Sequence, residues 1–268
     1  MSHDLRIATW NINSLRLRAG LLADLVAALR PDILCLQETK VPDALFPVEA
    51  VRAAGFEHAV FRGMKGYNGV AILAHQPLRV VNGLPDWCGR DDCRHTAIEM
   101  VLPSGPLQLH NFYVPAGGDV PDPETNDKFA HKLQFIEEMT GHFRRNTPRR
   151  TVLVGDLNIA PLANDVWSHR QLLDVVSHTE VETTAMARLM DQGFHDAVRH
   201  FVPESEKLYT WWSYRNRDWR ASDRGRRLDH IWVSHDLAGG LRQQTVLRAA
   251  RDWPRGSDHV PVCVTLRA

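Results

Sequence analysis

One plan occurs at two distant places in this sequence: a short apolar run gives way abruptly to a polar exit that carries asparagine. Leu5 to Trp10 runs into Asn11, and Thr151 to Val154 runs into Gly155, Asp156, Leu157 and Asn158. Runs of this length and composition read as strands. If the two strands pack side by side, their exits share one rim. Functional groups usually stand on such loops because a rigid scaffold positions them.

Further strand patterns cover Ile33 to Leu36, Gly69 to Leu73, His95 to Leu102, Leu107 to Val114, Ile231 to Ser234 and Val260 to Leu266. Helical spacing of apolar residues covers Leu15 to Arg30, where Pro31 stops it, and Glu124 to Phe143. Many strands with few, widely spaced helices predict a layered α/β protein of two stacked sheets with helices outside. Short connections between neighbouring strands favour mixed or antiparallel sheets. No linker, repeat or low-complexity tract divides the chain, so residues 1–268 are expected to form one domain.

Lys plus Arg equal Asp plus Glu at 32 each, which excludes a uniformly basic, histone-like chain. It does not exclude nucleic-acid binding, since a neutral sum can hide a basic face opposite an acidic pocket. Cys35 and Cys263 lie in apolar runs and read as small core residues; Cys88 and Cys93 lie in a polar stretch and read as free thiols, because no second Cys/His pair has zinc-ligand spacing. The start, Met-Ser-His-Asp, has neither a basic nor an apolar signal segment, and no apolar run approaches the roughly 20 residues that span a bilayer. A cytoplasmic protein with no membrane partner is expected. No coiled-coil pattern is present, and a monomer is expected.

The chemical candidates gather at strand exits: Asn11 and Asn13, Glu38, Asp156 and Asn158, Asp229, and Ser257-Asp258-His259. Each alone is an ordinary turn or surface residue. Together they suit a hard cation. Magnesium takes oxygen ligands and only one or two carboxylates, which fits Glu38, Asp258 and the Asn11 amide oxygen. Phosphodiester hydrolysis needs charge neutralisation on the phosphate oxygens, a group that aligns and deprotonates water, and stabilisation of the leaving alkoxide. His259 and a cation meet the first need, and Asp156 can activate water. Asn158 can hold a phosphate oxygen, and Asp229 can fix the tautomer of His259. Neither a phosphate-cradling GxxxxGK[ST] loop nor a GxSxG nucleophile elbow is present.

These residues stand within longer motifs. Ala8-Thr9-Trp10-Asn11-Ile12-Asn13-Ser14-Leu15-Arg16, Leu36-Gln37-Glu38-Thr39-Lys40, Gly69-Val70-Ala71-Ile72 and Tyr113-Val114-Pro115-Ala116-Gly117 come first. Gly155-Asp156-Leu157-Asn158-Ile159-Ala160-Pro161, Arg227-Leu228-Asp229 and Ser257-Asp258-His259-Val260-Pro261 follow. In this order the chain resembles the exonuclease III class of AP endonucleases, in the endonuclease/exonuclease/phosphatase superfamily. The resemblance implies a four-layer sandwich of two mixed sheets flanked by helices, forming one catalytic domain. It implies cleavage of double-stranded DNA 5′ to an abasic site, with 3′→5′ exonuclease and 3′-end trimming. Mg²⁺ is the implied cofactor, with Mn²⁺ able to substitute. By position, Glu38 is the principal metal ligand with Asn11 and Asp258 nearby, and Asp156, Asn158 and His259 also border the ion. Asp156 is the acid/base residue and Asn158 the transition-state stabiliser. Tyr113 and His259 contact the phosphate, and Asp229 orients His259. The GDxN and SDHxP elements are shared with phosphoesterases acting on lipid or inositol phosphates, which is the alternative reading.

Trp211-Trp212-Ser213-Tyr214-Arg215 favours the DNA branch. One tryptophan of the pair is expected in the core. Trp211 is expected at the lesion, in a small apolar pocket that admits a baseless sugar and excludes a nucleotide. An abasic nucleotide costs less to extrude because its stacking is already lost. Asn13, Arg94, Trp211 and Arg215 are the expected substrate contacts. Arg94 falls in a stretch that resembles a DNA-penetrating segment. Arg215, Arg217, Arg220, Arg224, Arg226 and Arg227 form a basic run suited to phosphates.

Overall fold

The computed structural model describes residues 4–216 and 218–268, so the chain start and Arg217, both drawn on above, lie outside the described residues. Its strands are β1 (Asp4–Asn11), β2 (Ile33–Gln37), β3 (His58–Arg62), β4 (Val70–Ala74), β5 (Arg79–Val80), β6 (His95–Leu102), β7 (Gly105–Tyr113), β8 (Thr151–Asp156), β9 (Phe194–Asp196), β10 (Asp229–Ser234), β11 (Leu241–Val246) and β12 (Val262–Arg267). They form two six-stranded mixed sheets, ordered β11-β12-β1-β2-β4-β3 and β5-β6-β7-β8-β10-β9. β1–β2 and β7–β8 are the parallel pairs, and the remaining pairs are antiparallel.

Alternation of side chains along each strand builds the layers. Ile7, Ile33 and Ile72 of the first sheet meet Leu109, Val154 and Ile231 of the second in one apolar cluster. Their neighbours Ala8, Leu34 and Leu73 face outward, onto the helices α1 (Leu15–Arg18), α2 (Leu21–Leu29) and α3 (Val48–Ala53). Leu153 and Trp232 face the other way, against α4 (Asp127–Arg145) and α6 (Glu180–Met190), which follows the short α5 (His169–Leu172). The result is the expected helix–sheet–sheet–helix sandwich. No helix of the described residues is long and apolar enough to cross a membrane.

The same alternation places the polar strand ends. Asn11 continues the inward set of Leu5 and Ile7, Gln37 that of Ile33 and Cys35, and Asn111 and Tyr113 that of Leu107 and Leu109. Asp156 continues Val152 and Val154, and Asp229 precedes Ile231 and Val233. All six residues lie on inter-sheet faces. Tyr113 and Asp229 are the register partners of Asp156, and Gln37 is that of Asn11. The β1 and β8 exits thus meet across the sandwich. They do not lie side by side, because the two strands belong to different sheets.

Other differences are local. The single helix expected over Leu15 to Arg30 breaks at Ala19 and Gly20, and Arg30 ends it in a left-handed conformation (φ 46°) before Pro31. The strands β3 and β11 lack a clean apolar alternation and are partly exposed, which hides them from pattern reading. All four cysteines are free, and Cys35 and Cys263 are buried as expected.

Gly155 is the tightest backbone approach behind the site. Its φ is 144°, and a Cβ there would lie 1.9 Å from the Phe112 carbonyl oxygen on β7. Gly155→Ala is expected to cost about 3 kcal/mol or more, roughly 6–12 °C in Tm for a chain of this size. Gly20→Ala, with nothing within 4 Å of its Cβ and a right-handed backbone, is the control and should be neutral or slightly stabilising. Calorimetry of both variants checks this, and equal Tm values would refute it.

Candidate active site

The inward-facing polar strand ends converge on one cluster. The Asn11 amide nitrogen donates to Glu38 Oε1 and to Asp156 Oδ2, both at 2.8 Å, and so bridges the two sheets. Its oxygen is engaged by the backbone N–H of Asn13 at 3.1 Å. In this arrangement Asn11 orients two carboxylates; it does not present the amide oxygen expected as a ligand. Glu38, Asp156 and His259 offer ligand atoms within 4.8 Å of one another.

Asp258 stands beside this group with both oxygens occupied. Asn13 Nδ2 donates to Oδ1 at 3.0 Å and the Trp211 indole N–H donates to Oδ2 at 2.9 Å. Asn13 is therefore a bridge, since its own oxygen accepts from Lys40 Nζ at 2.7 Å. Lys40 also pairs with Glu38 Oε2 at 2.7 Å. Sequence reading gave Lys40 no role, although it is the last residue of the Leu36 to Lys40 motif.

His259 Nδ1 donates to Asp229 Oδ2 at 2.8 Å, which leaves Nε2 facing Asp156 at 3.7 Å. Asp229 also accepts from the Thr210 hydroxyl at 2.6 Å. Burial alone would push the imidazole pKa down, but the carboxylates of Asp229 and Asp156 hold it at about 10. Asn158 donates its amide to the Val114 carbonyl at 2.9 Å, and its backbone N–H donates to Asp156 Oδ1 at 3.0 Å. Tyr113 is buried, and burial together with the neighbouring Glu38 and Asp156 charges raises its phenol well above the usual value.

Charge in this cluster is unbalanced. Burial raises the Asp156 carboxyl to about 7; His259 and Asn11 oppose that rise, while Asp229 and Glu38 add to it. Burial also acts to raise Glu38, yet Lys40, Asn11 and His259 keep it below its ordinary value. Four carboxylates (Glu38, Asp156, Asp229 and Asp258) thus share two cationic side chains, Lys40 and His259. A buried carboxylate that resists ionisation at neutral pH marks a site short of positive charge. An oxygen-rich donor set of this kind fits a hard divalent cation, with Glu38 and Asp156 as the available ligands.

The backbone that carries the cluster is strained. Asn13 (φ 46°), Ser14 (87°), Glu38 (51°), Lys40 (53°) and Asn158 (53°) all adopt positive φ. Such residues persist only where the surroundings dictate them. Ser14 N–H donates to the Glu38 carbonyl at 2.7 Å, and Lys40 N–H donates to the Asn68 carbonyl at 2.9 Å. The Arg18 guanidinium braces the first loop through the carbonyls of Ile12, Asn13 and Arg255. Beneath Asn158 lies a fully buried ion pair, Lys132 with Glu182. Lys132 Nζ donates to the Asn158 carbonyl at 2.8 Å, and Glu182 accepts from the backbone N–H groups of Ser177 and Thr179. Lys132 shares the apolar stripe of α4 with Phe129, Phe135, Ile136 and Met139, which was the available signal for it.

The expected substrate contacts divide. Trp212 is fully buried in the core, and Trp211 is half-buried beside the cluster. Arg94 is not projected outward: its guanidinium pairs with Asp92 and lies 4.9 Å from the Tyr113 ring centroid. Within the basic run, Arg227 is buried against Asp165 and Asp196, and Arg220 pairs with Asp252. Arg215, Arg224 and Arg226 remain, and all three line a cavity of about 670 Å³ with Trp167, Trp211 and Leu172. This cavity is larger and more basic than the small apolar pocket expected there.

The likeness to known proteins follows the same residues. The Endonuclease/Exonuclease/phosphatase family matches residues 8–259. Exodeoxyribonuclease III of Haemophilus influenzae is 30% identical over 269 residues, covering 96% of this chain and 98% of that protein. An AP endonuclease structure from Archaeoglobus fulgidus has a TM-score of 0.89 at 31% identity, covering 98% of this chain and 100% of that one. The 3′ phosphatase NExo from Neisseria, solved with a product DNA hairpin, has a TM-score of 0.88 at 33% identity, covering 98% and 99%. With its catalytic motifs, its two-sheet sandwich and its full-length relatives in agreement, this chain belongs to the endonuclease/exonuclease/phosphatase family, in the exonuclease III class of AP endonucleases.

Proposed function

We propose that this protein is a Mg²⁺-dependent DNA-repair nuclease that incises double-stranded DNA 5′ to abasic sites and trims 3′ ends. The observation that carries the reading is the cluster of Glu38, Asp156 and Asp229-supported His259, joined through Asp258 to Trp211, which lines a tryptophan- and arginine-rich cavity. It acts as one catalytic domain, as a monomer, in the cytoplasm.

Glu38 and Asp156 would hold the cation, with Asn11 fixing both carboxylates in place. When bound, the cation neutralises phosphate charge and stabilises the leaving oxygen. His259 is the fixed positive donor: protonated at neutral pH, it offers Nε2–H to a non-bridging phosphate oxygen. Asp156, which faces that Nε2–H at 3.7 Å, is the group that takes the proton from water. Asn158 fixes Asp156 through its backbone N–H and stands beside the phosphate. Tyr113 presents a neutral hydroxyl at all physiological pH values. Trp211 takes the baseless sugar against its ring and anchors Asp258 through its N–H. Asn13 and Arg94 act as supports for Lys40, Asp258 and Tyr113, and Arg215 lies at the cavity for the DNA strand.

A duplex with one internal abasic analogue tests the reading. Incision 5′ to the analogue with Mg²⁺, abolished by EDTA and restored by added Mg²⁺ or Mn²⁺, is the expected result. Intact DNA alongside hydrolysis of an inositol phosphate would overturn it.

Glu38→Ala should weaken metal use, with activity partly restored at raised Mg²⁺. A variant that stays inactive at every Mg²⁺ concentration would remove Glu38 from the ligand set.

The pH dependence follows from His259. Its folded pKa of about 10 lies above the unfolded value of about 6.5. The stabilisation it gives is therefore complete below pH ~6.5 and lost as pH rises through ~10. Asp229→Asn should lower the midpoint of the ring titration, followed by NMR, and should cut turnover at neutral pH about a hundredfold. An unchanged titration midpoint would show that Asp229 does not set the charge of His259.

A further inference from the structure

Arg226, Trp211 and His259 stand in a row. Trp211 forms bridge pairs with Arg226 on one side and His259 on the other. Paired residues on neighbouring strands present their side chains to the same face. The rings and the guanidinium confirm the alignment: Arg226 Cζ is 5.6 Å from the Trp211 ring centroid, and the Trp211 and His259 ring centroids are 6.5 Å apart. Neighbouring strands lie about 4.8 Å apart, so the His259 and Arg226 backbones are about 10 Å apart.

The Arg226 guanidinium is held but not neutralised. Nη1 donates to the Val176 carbonyl at 2.8 Å and to the Ser177 hydroxyl at 2.7 Å. Both acceptors are uncharged. Among the described residues no carboxylate pairs with Arg226, and its Nε and Nη2 have no hydrogen-bond partner. It lines the cavity of about 670 Å³ together with Trp211, whose other neighbours are His259 and Asp258 of the catalytic cluster, and Arg224 lies over Trp167 on the same wall. A half-buried guanidinium with a free edge, fixed in direction by neutral groups, is a receptor for an anion.

We infer that Arg226 is a specificity-determining residue that receives the phosphate on the 3′ side of the nucleotide being processed, and so favours internal incision over removal of a 3′-terminal nucleotide. The inference rests on the nuclease reading above. With the scissile phosphate at His259 and the sugar against Trp211, the next anion along the row is the phosphodiester that follows that sugar. An internal nucleotide carries this phosphate, whereas a terminal nucleotide carries only a neutral 3′-hydroxyl. The arginine therefore adds binding at internal sites that termini cannot use. The charge also explains why the cavity wall is basic where a bare sugar would need only apolar contacts.

The test uses the full chain with Mg²⁺ and three duplexes of one sequence. The first has an internal abasic analogue, the second has the same analogue with a neutral methylphosphonate as its 3′ linkage, and the third has a recessed 3′-hydroxyl end. In the unaltered protein the methylphosphonate should lower kcat/KM for incision about ten- to hundredfold, the range expected for a charge-assisted contact. Arg226→Leu should lower incision of the natural linkage by a similar factor and respond little to the methylphosphonate. Its ratio of incision to end trimming should fall by about tenfold or more, and Arg226→Lys should recover part of it. An equal methylphosphonate penalty in Arg226→Leu and the unaltered protein would overturn the inference, as would equal losses of incision and trimming. If the unaltered protein cleaves none of the three duplexes, the nuclease reading fails and the inference falls with it. Cleavage without a methylphosphonate effect rejects the inference alone.

Discussion

The hydrogen bonds from the Asn11 amide tie together two sheets that share no strand. One reaches Glu38 at the exit of β2, and the other reaches Asp156 at the end of β8. Everything chemical in this protein depends on that crossing. The apolar inter-sheet layer of Ile7, Val154, Ile231 and their neighbours fixes the separation and register of the sheets. Because side chains alternate, the inward faces of β1, β2, β7, β8 and β10 end in polar residues at the same edge. The cluster is therefore the uncovered end of the core, with polar groups where the next apolar layer would be. Misregister by one residue would turn each of these groups to the opposite face.

Strain and burial support the same edge. Positive φ values at Glu38, Lys40 and Asn158 cost stability locally, and the surrounding network offsets them. The Lys132–Glu182 pair is the deepest part of that network. Removing one partner of such a pair costs far more than removing both, because it strands a charge away from water. The pair joins α4 to the start of α6 and supports the loop that holds Arg226. The catalytic edge and the cavity wall thus share one foundation.

Much of this was legible in the sequence. The strands ending at Asn11, Gln37 and Asp156 were plain from their apolar runs, and the residues at their exits were found. The resemblance supplied roles that residue type alone could not. What remained hidden has physical causes. Exits expected side by side lie face to face, since a sequence pattern gives the period of a strand but not its sheet. Lys40, Arg18 and Lys132 were given no role because their partners are remote in sequence, up to 238 residues away in the case of Arg18 and Gly256. Within the basic run, Arg226 and Arg227 are adjacent and face opposite ways, one to the cavity and one into a buried acidic network. Composition treats them alike, and alternation separates them.

Lys40 reaches over Glu38 and Asn13 as a tethered ammonium beside the carboxylate cluster. It acts as a resident counter-ion. A protein whose acidic pocket relies wholly on a metal for charge balance loses shape when the metal is withdrawn, as small zinc domains do. Here the sandwich core is independent of the pocket, and a side chain already occupies part of the counter-ion role. Catalytic competence can therefore follow the supply of divalent cation while the architecture does not.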